Sequence, residues 1–185
     1  MTGGVGFGKL KVVKAEDLSF RLGAKMLRVL LAIASPLFRQ TMQRVAQAAL
    51  DLLPWPVTVE TVEAPSELEE RAGRDPRTLL LLDWEWAKEE TPDLLSRMFD
   101  RNPQMRVVVL LPPGAPKAYR SALWAAGACA STPRDRLDEE WMVTILCLVR
   151  RAMEREGLLP AAPAQEAGAG EGEISASSRL SPVGP

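Results

Sequence analysis

The stretch Val29-Leu30-Leu31-Ala32-Ile33-Ala34-Ser35-Pro36 runs an apolar segment straight into a serine followed by a proline. Such a segment reads as a strand buried on both faces, here over residues 27–34. Ser35 then supplies a helix N-cap, and Pro36 suits the first helical position, where its missing N–H is not needed. The helix continues to about Leu50, with Phe38, Met42, Val45 and Ala49 on one side, and Pro54 and Pro56 break it. Val57–Val62 alternates as a second strand. The run Ser66-Glu67-Leu68-Glu69 reads as a capping box that opens a short helix ending near Gly73.

The same alternation repeats downstream. Thr78–Asp83 is a buried strand of four leucines ending in an acid, and Thr91-Pro92 caps a third helix to about Arg101. Arg106–Leu111 is a fourth strand. Residues 116–126 form a fourth helix closed by Gly127, residues 128–132 a short fifth strand, and residues 137–156 a long last helix stopped by Gly157. Five strands alternating with five helices imply a doubly wound α/β domain, a parallel sheet with helices on both faces. The size and the five-unit count favour the flavodoxin-like order 2-1-3-4-5 over a dinucleotide-binding Rossmann domain. In such sheets function gathers at the carboxyl ends of the strands, around the switch between the first and third. The positions to inspect are therefore Ile33-Ala34-Ser35, Asp83, Leu111-Pro112 and residues 132–134.

Composition narrows the chemistry. A chain of 185 residues, 46% hydrophobic and 25% charged, allows one globular domain with tails. Lys and Arg number 23 against 24 acids, a net charge of −1 that argues against direct nucleic-acid binding. There is no histidine, which removes the commonest general acid/base and metal ligand, together with the Ser-His-Asp and Cys-His triads. Two cysteines, Cys129 and Cys147, fall short of a zinc or disulfide framework and read as small buried hydrophobes. No apolar run approaches the ~18 residues that span a bilayer. Lys9, Lys11, Lys14, Glu16 and Asp17 interrupt any signal-peptide core, so a cytoplasmic location is expected. Residues 1–25 form a glycine-rich, then mildly basic extension, flexible or loosely docked. Residues 26–159 form the domain, and residues 160–185, rich in Ala, Gly, Pro, Ser and Glu, read as a disordered tail. The segment Gly3-Gly4-Val5-Gly6-Phe7-Gly8 follows no strand and opens no helix, so it is not read as a phosphate loop.

The stretch from Val29 to Arg39, the Leu79–Asp83 segment, the strand after Arg106 and the turn Ala126-Gly127-Ala128 together resemble response-regulator receiver domains, in particular those joined to a helix-turn-helix output domain. The resemblance spans residues 27–157. It implies aspartyl phosphorylation: an aspartate ending the third strand attacks a phosphoryl group, and Mg²⁺ and nearby cations neutralise the charge that spreads in the transition state. The family holds the metal with two acids after the first strand. A Thr or Ser after the fourth strand and a Lys after the fifth hold the phosphate.

Carried onto this sequence, the resemblance places the nucleophile at Asp83, which is present. The acid pair falls on Ile33 and Ala34, and the hydroxyl position on Leu111 or Pro112. The Lys position falls on Arg134, with Thr132-Pro133 as a shifted match, and the aromatic position of the fifth strand falls on Ser131. Four of the five elements depart from the pattern, which implies a pseudo-receiver that keeps the scaffold without its phosphoryl-transfer machinery. Asp83 is then an ion pair with Arg134 or a cap for a backbone N–H. No catalytic residue, metal site or cofactor is expected.

Two further features bear on partners. The segment from Trp141 to Val149 is uncharged over more than two helical turns, whereas a helix lying on a sheet needs a single apolar stripe. Trp141, Ile145 and Leu148 can face the sheet, leaving Met142, Leu146 and Val149 on another face; together with Trp141, and with Tyr119 and Trp124 of the fourth helix, these are expected to form a partner interface. The resemblance agrees, since receivers use that side for dimers and partners. Trp84 and Trp86 either anchor a partner or fill the hollow left by the missing acids. The expectation is a non-catalytic signalling or scaffold module, acting through protein contacts as a homodimer via its last helix. A phospho-acceptor using Asp83, and a small flavodoxin-like nucleotide or flavin binder, are the alternatives.

Overall fold

The computed structural model describes residues 25–161. Five strands, β1 (Leu27–Ala32), β2 (Val57–Val62), β3 (Thr78–Asp83), β4 (Arg106–Leu111) and β5 (Ala130–Pro133), alternate with five helices. These are α1 (Pro36–Leu52), α2 (Pro65–Gly73), α3 (Thr91–Arg101), α4 (Lys117–Ala125) and α5 (Glu139–Arg155). All strand pairs are parallel, in the order β2-β1-β3-β4-β5. This is the doubly wound flavodoxin-like sheet expected from the sequence.

The period-two geometry of a strand sends alternate side chains to opposite faces, and two hydrophobic clusters follow from it. Leu27, Val29, Leu31 and Ile33 join Leu79, Leu81, Val108 and Leu110 on the face covered by α1 and α5. Leu30, Ala32, Leu80, Leu82, Val107, Val109 and Leu111 face α2, α3 and α4. With β1, β3 and β4 in the centre, nearly every position must be apolar, which is why these strands read as continuous runs. The polar residues stand at the strand ends, and Arg28 near the start of β1 is one: its guanidinium donates to both carboxylate oxygens of Glu60 on β2, at 2.9 and 2.7 Å, and the hydrogen bond holds that carboxyl below its ordinary pKa.

Several helix starts differ from the sequence expectation. At α1, Ser35 caps as expected, its side chain accepting from the Phe38 amide. At α2 the expected Ser66 capping box does not form; the helix begins at Pro65, and the N-cap Ala64 offers no side-chain acceptor. At α3, Thr91 is already helical, and its hydroxyl turns back to donate to the Lys88 carbonyl, so Glu90 is the cap residue. Proline at the first or second position with its fixed φ sets both starts one residue early or more.

The last helix corrects a larger expectation. Met142, Leu146, Val149 and Met153 are the residues buried against the sheet. Trp141 and Ile145 are half-buried, and Leu148 is 56% exposed. Asp138 caps the helix, its carboxylate accepting from the Trp141 amide at 2.8 Å. The contact surface assigned to Met142, Leu146 and Val149 is therefore core; of the stripe assigned to the sheet, Trp141 and Ile145 pack partly against the margin of the same cluster and only Leu148 is exposed.

The expected extension and tail lie outside the described residues except for Lys25, Pro160 and Ala161. Among the described residues no helix is long and apolar enough to cross a membrane.

Gly127, at φ +98°, turns the chain from α4 into β5, and a Cβ there would stand 2.8 Å from the Phe99 ring. Gly127→Ala combines left-handed backbone with a clash, so a loss of about 1–3 kcal/mol is expected. Urea unfolding checks this, and an unchanged midpoint would contradict the described α4–β5 turn.

Candidate functional site

Asp83 ends β3 at the carboxyl edge of the sheet and is fully buried. Each carboxylate oxygen accepts one backbone amide at 3.2 Å: Oδ2 from Ala34 at the end of β1, and Oδ1 from Glu85, two residues on. Oδ1 also accepts from Nη2 of Arg134, which follows β5 directly. The same Nη2 lies 3.5 Å from Oε1 of Glu85, and the guanidinium sits 5.5 Å over the ring of Phe38 from the first turn of α1. The ion pair between Asp83 and Arg134 and the cap on a backbone N–H were alternatives in the sequence; the structure contains both.

Three loops are tied together at this point. The carboxylate joins the β1–α1 connection to the β3–α3 connection through its two amides, and Arg134 adds the β5–α5 connection. Arg39 secures the first of these by donating from Nε and Nη2 to the Ile33 carbonyl, at 3.2 and 3.1 Å. Burial pushes the Asp83 carboxyl above its ordinary pKa, against the lowering influence of the Glu85 amide, the Arg134 charge and the Ala34 amide. Desolvation thus outweighs its compensations, as it does for a buried ion where the partners are few.

The site offers a poor set of donors for the Mg²⁺ that the receiver resemblance implies. Mg²⁺ needs near-octahedral oxygen ligation, usually with one or two carboxylates. Ile33 is buried in the apolar cluster under α1 and α5, and Ala34 turns its amide to Asp83. Glu85, the candidate substitute ligand, is directed to Arg134 and lies 4.0 Å from Nζ of Lys88. Among the described residues no group of three or more His, Cys, Asp or Glu side chains could hold a metal ion. The residues present therefore do not fit the metal. Leu111, at the expected hydroxyl position, is buried in the cluster on the opposite face.

The structure answers the question left open for the tryptophans. Trp84 is 5% exposed and stacks on Tyr119 of α4, with ring centroids 4.7 Å apart. Trp86 packs half-buried against the same cluster. Neither is an exposed anchor: the short turn after Asp83 directs them into the apolar layer under α4. Tyr119, expected at a partner surface, is likewise taken up by this stack. Trp124 is 81% exposed. Phe38 under Arg134 was not foreseen; a phenylalanine on an amphipathic helix carries no signal of a cation from a residue ninety-six positions later.

No family model matches the sequence, and no curated protein matches it. Solved structures do. A CpaE protein from Burkholderia thailandensis, assigned to pilus assembly, superposes with a TM-score of 0.56 at 12% identity, over 68% of this chain and 99% of that one. A response regulator from Thermotoga maritima gives 0.55 at 17% identity, over 67% and 97%. The signal receiver domain of an HD domain-containing protein from Pseudomonas fluorescens gives 0.54 at 18% identity, over 72% and 93%.

Because the Asp83 carboxyl titrates above 3.8, the native state gains stability from it below that value and loses the gain as pH rises through the raised native pKa. Asp83→Asn removes this dependence. Its stability relative to the parent, from urea midpoints, should improve as pH rises from 4 through the raised native pKa and then level off; a change in the opposite sense would mean that Arg134 outweighs burial. With the strand order and these neighbours together, the chain has the fold of the response-regulator receiver domains.

Proposed function

We propose that this chain is a signalling module of the receiver type that works by protein contact, without aspartyl phosphorylation. The observation that carries the reading is the guanidinium of Arg134 held against Asp83, with Ile33 and Ala34 standing where metal-binding acids would be needed. A phosphoryl donor approaching Asp83 meets a carboxylate whose two oxygens already accept three donors, with no divalent cation to offset repulsion between anions. The reading makes the ion pair a structural stand-in: a fixed cation replaces the metal, and the three loops stay joined in one arrangement. The CpaE neighbour, named for pilus assembly, supports a receiver scaffold that serves outside proteins named response regulators.

The contact surface in this reading is the outer stripe of α5. Trp141, Ile145 and Leu148 are spaced for one helical face, and Leu148 is its most exposed member. A second copy of the chain is the proposed partner, since an uncharged stripe suits a symmetric, self-complementary contact.

Two measurements test this. Incubation with acetyl phosphate and Mg²⁺ should leave the intact mass unchanged. A gain of one phosphoryl group that Asp83→Asn abolishes would establish the phospho-acceptor instead. In sedimentation, the parent chain should form a dimer that Leu148→Glu converts to monomer with an unchanged circular dichroism spectrum; an unaltered assembly state would remove the α5 stripe as the interface.

A further inference from the structure

Helix α4 carries a surface with no counterpart among the described residues. Lys117, Arg120, Ser121 and Trp124 stand three, four and seven residues apart, which places them on one helical face. All four are exposed. The helix contains no acid, and neither Lys117 nor Arg120 forms an ion pair among the described residues. Beside this stripe runs β5, which pairs with β4 on one side only, so its outer edge presents backbone groups with no neighbouring strand. A cleft of about 250 Å³ lies between helix and strand, lined by Arg120, Trp124, Cys129 and Ser131 among others.

The chain itself supplies a segment of complementary chemistry. Residues 162–185 contain Glu166, Glu171 and Glu173 against the single cation Arg179, and Ile174 follows Glu173 directly. They leave from the end of the sheet where the strands begin: Arg150 stacks on Trp55, just before β2, and donates to the Pro160 carbonyl. The cleft opens at the same end, where the Cys129 amide donates to the carbonyl of Val107, early in β4. From Ala161, an extended chain reaches Glu171 over roughly 33 Å, more than the width of the five-stranded sheet at ~4.8 Å between neighbouring strands.

We propose that residues 166–174 dock on the α4–β5 cleft of their own chain, with Glu171 and Glu173 opposite Lys117 and Arg120 and Ile174 against Trp124. The docked segment covers the exposed indole and leaves the α5 stripe as the apolar surface for a second protein. The inference stands whether or not Asp83 accepts phosphate.

Cys129, read from the sequence as a buried hydrophobe, is instead exposed in the lining of the cleft, its thiol donating to the Val107 carbonyl at 3.0 Å, and it reports on the docking. Its alkylation by iodoacetamide is followed by peptide mass mapping on the full chain, with the half-buried Cys147 of α5 as internal reference. Arg120→Glu and the pair Glu171→Lys/Glu173→Lys should each speed Cys129 alkylation several-fold relative to Cys147. The three substitutions combined should restore the parent rate, and the parent rate should not depend on protein concentration. Equal rates in all variants would overturn the proposal, as would failure of the combined variant to restore protection. A parent rate that falls with concentration would assign the cleft to another copy and overturn it too.

Discussion

A carboxylate taken wholly out of water at the end of the central strand is the constraint around which this molecule is organised. Two backbone amides and one guanidinium must converge on Asp83, because an ion left unpaired at such a position costs several kcal/mol. That requirement dictates where β1 ends, how the chain turns after β3, and where Arg134 stands after β5. On the proposed reading, every group that compensates the buried charge is a group withdrawn from holding a metal or a phosphoryl oxygen.

The aromatic residues belong to the same arrangement. Phe38 gives Arg134 a π-face, which orients the guanidinium without adding a second buried anion. Trp84, immediately after Asp83, is directed into the lower apolar layer and stacks on Tyr119. The β3–α3 turn is thereby joined to α4 as firmly as the carboxylate joins it to β1 and β5. On the proposed reading, a receiver scaffold normally shifted between two states by phosphorylation is held here by packing and by one internal ion pair. Its outer helices then carry the information.

Much of this was legible in the sequence. The bounds of β2, β3 and β4 were readable because prolines, charged residues and turn residues flank short apolar runs, and a buried parallel strand leaves few other places for four consecutive leucines. The position of Asp83 followed from the same pattern, whereas Ile33 and Ala34 drew notice only because the receiver resemblance implies acids there. Helix starts were less legible, since Ser66 and Thr91 each had the sequence of a cap while a neighbouring proline set the helix elsewhere. The buried side of α5 was not legible either. From Trp141 to Val149 either of two apolar stripes could face the sheet, and only the tertiary packing against the α1 side distinguishes them. The Arg134–Phe38 contact lay beyond any sequence pattern, because it depends on two loops meeting only after the sheet has closed.

The measurement that goes most directly to the ion pair is a titration with Mn²⁺, a paramagnetic substitute for Mg²⁺, followed in the amide NMR spectrum. The account predicts that the signals of Ala34 and Glu85, whose amides touch the Asp83 carboxylate, stay as sharp as those of the distant β-strand starts. Selective broadening of those two signals at low Mn²⁺ would place a divalent ion beside Asp83 and contradict it.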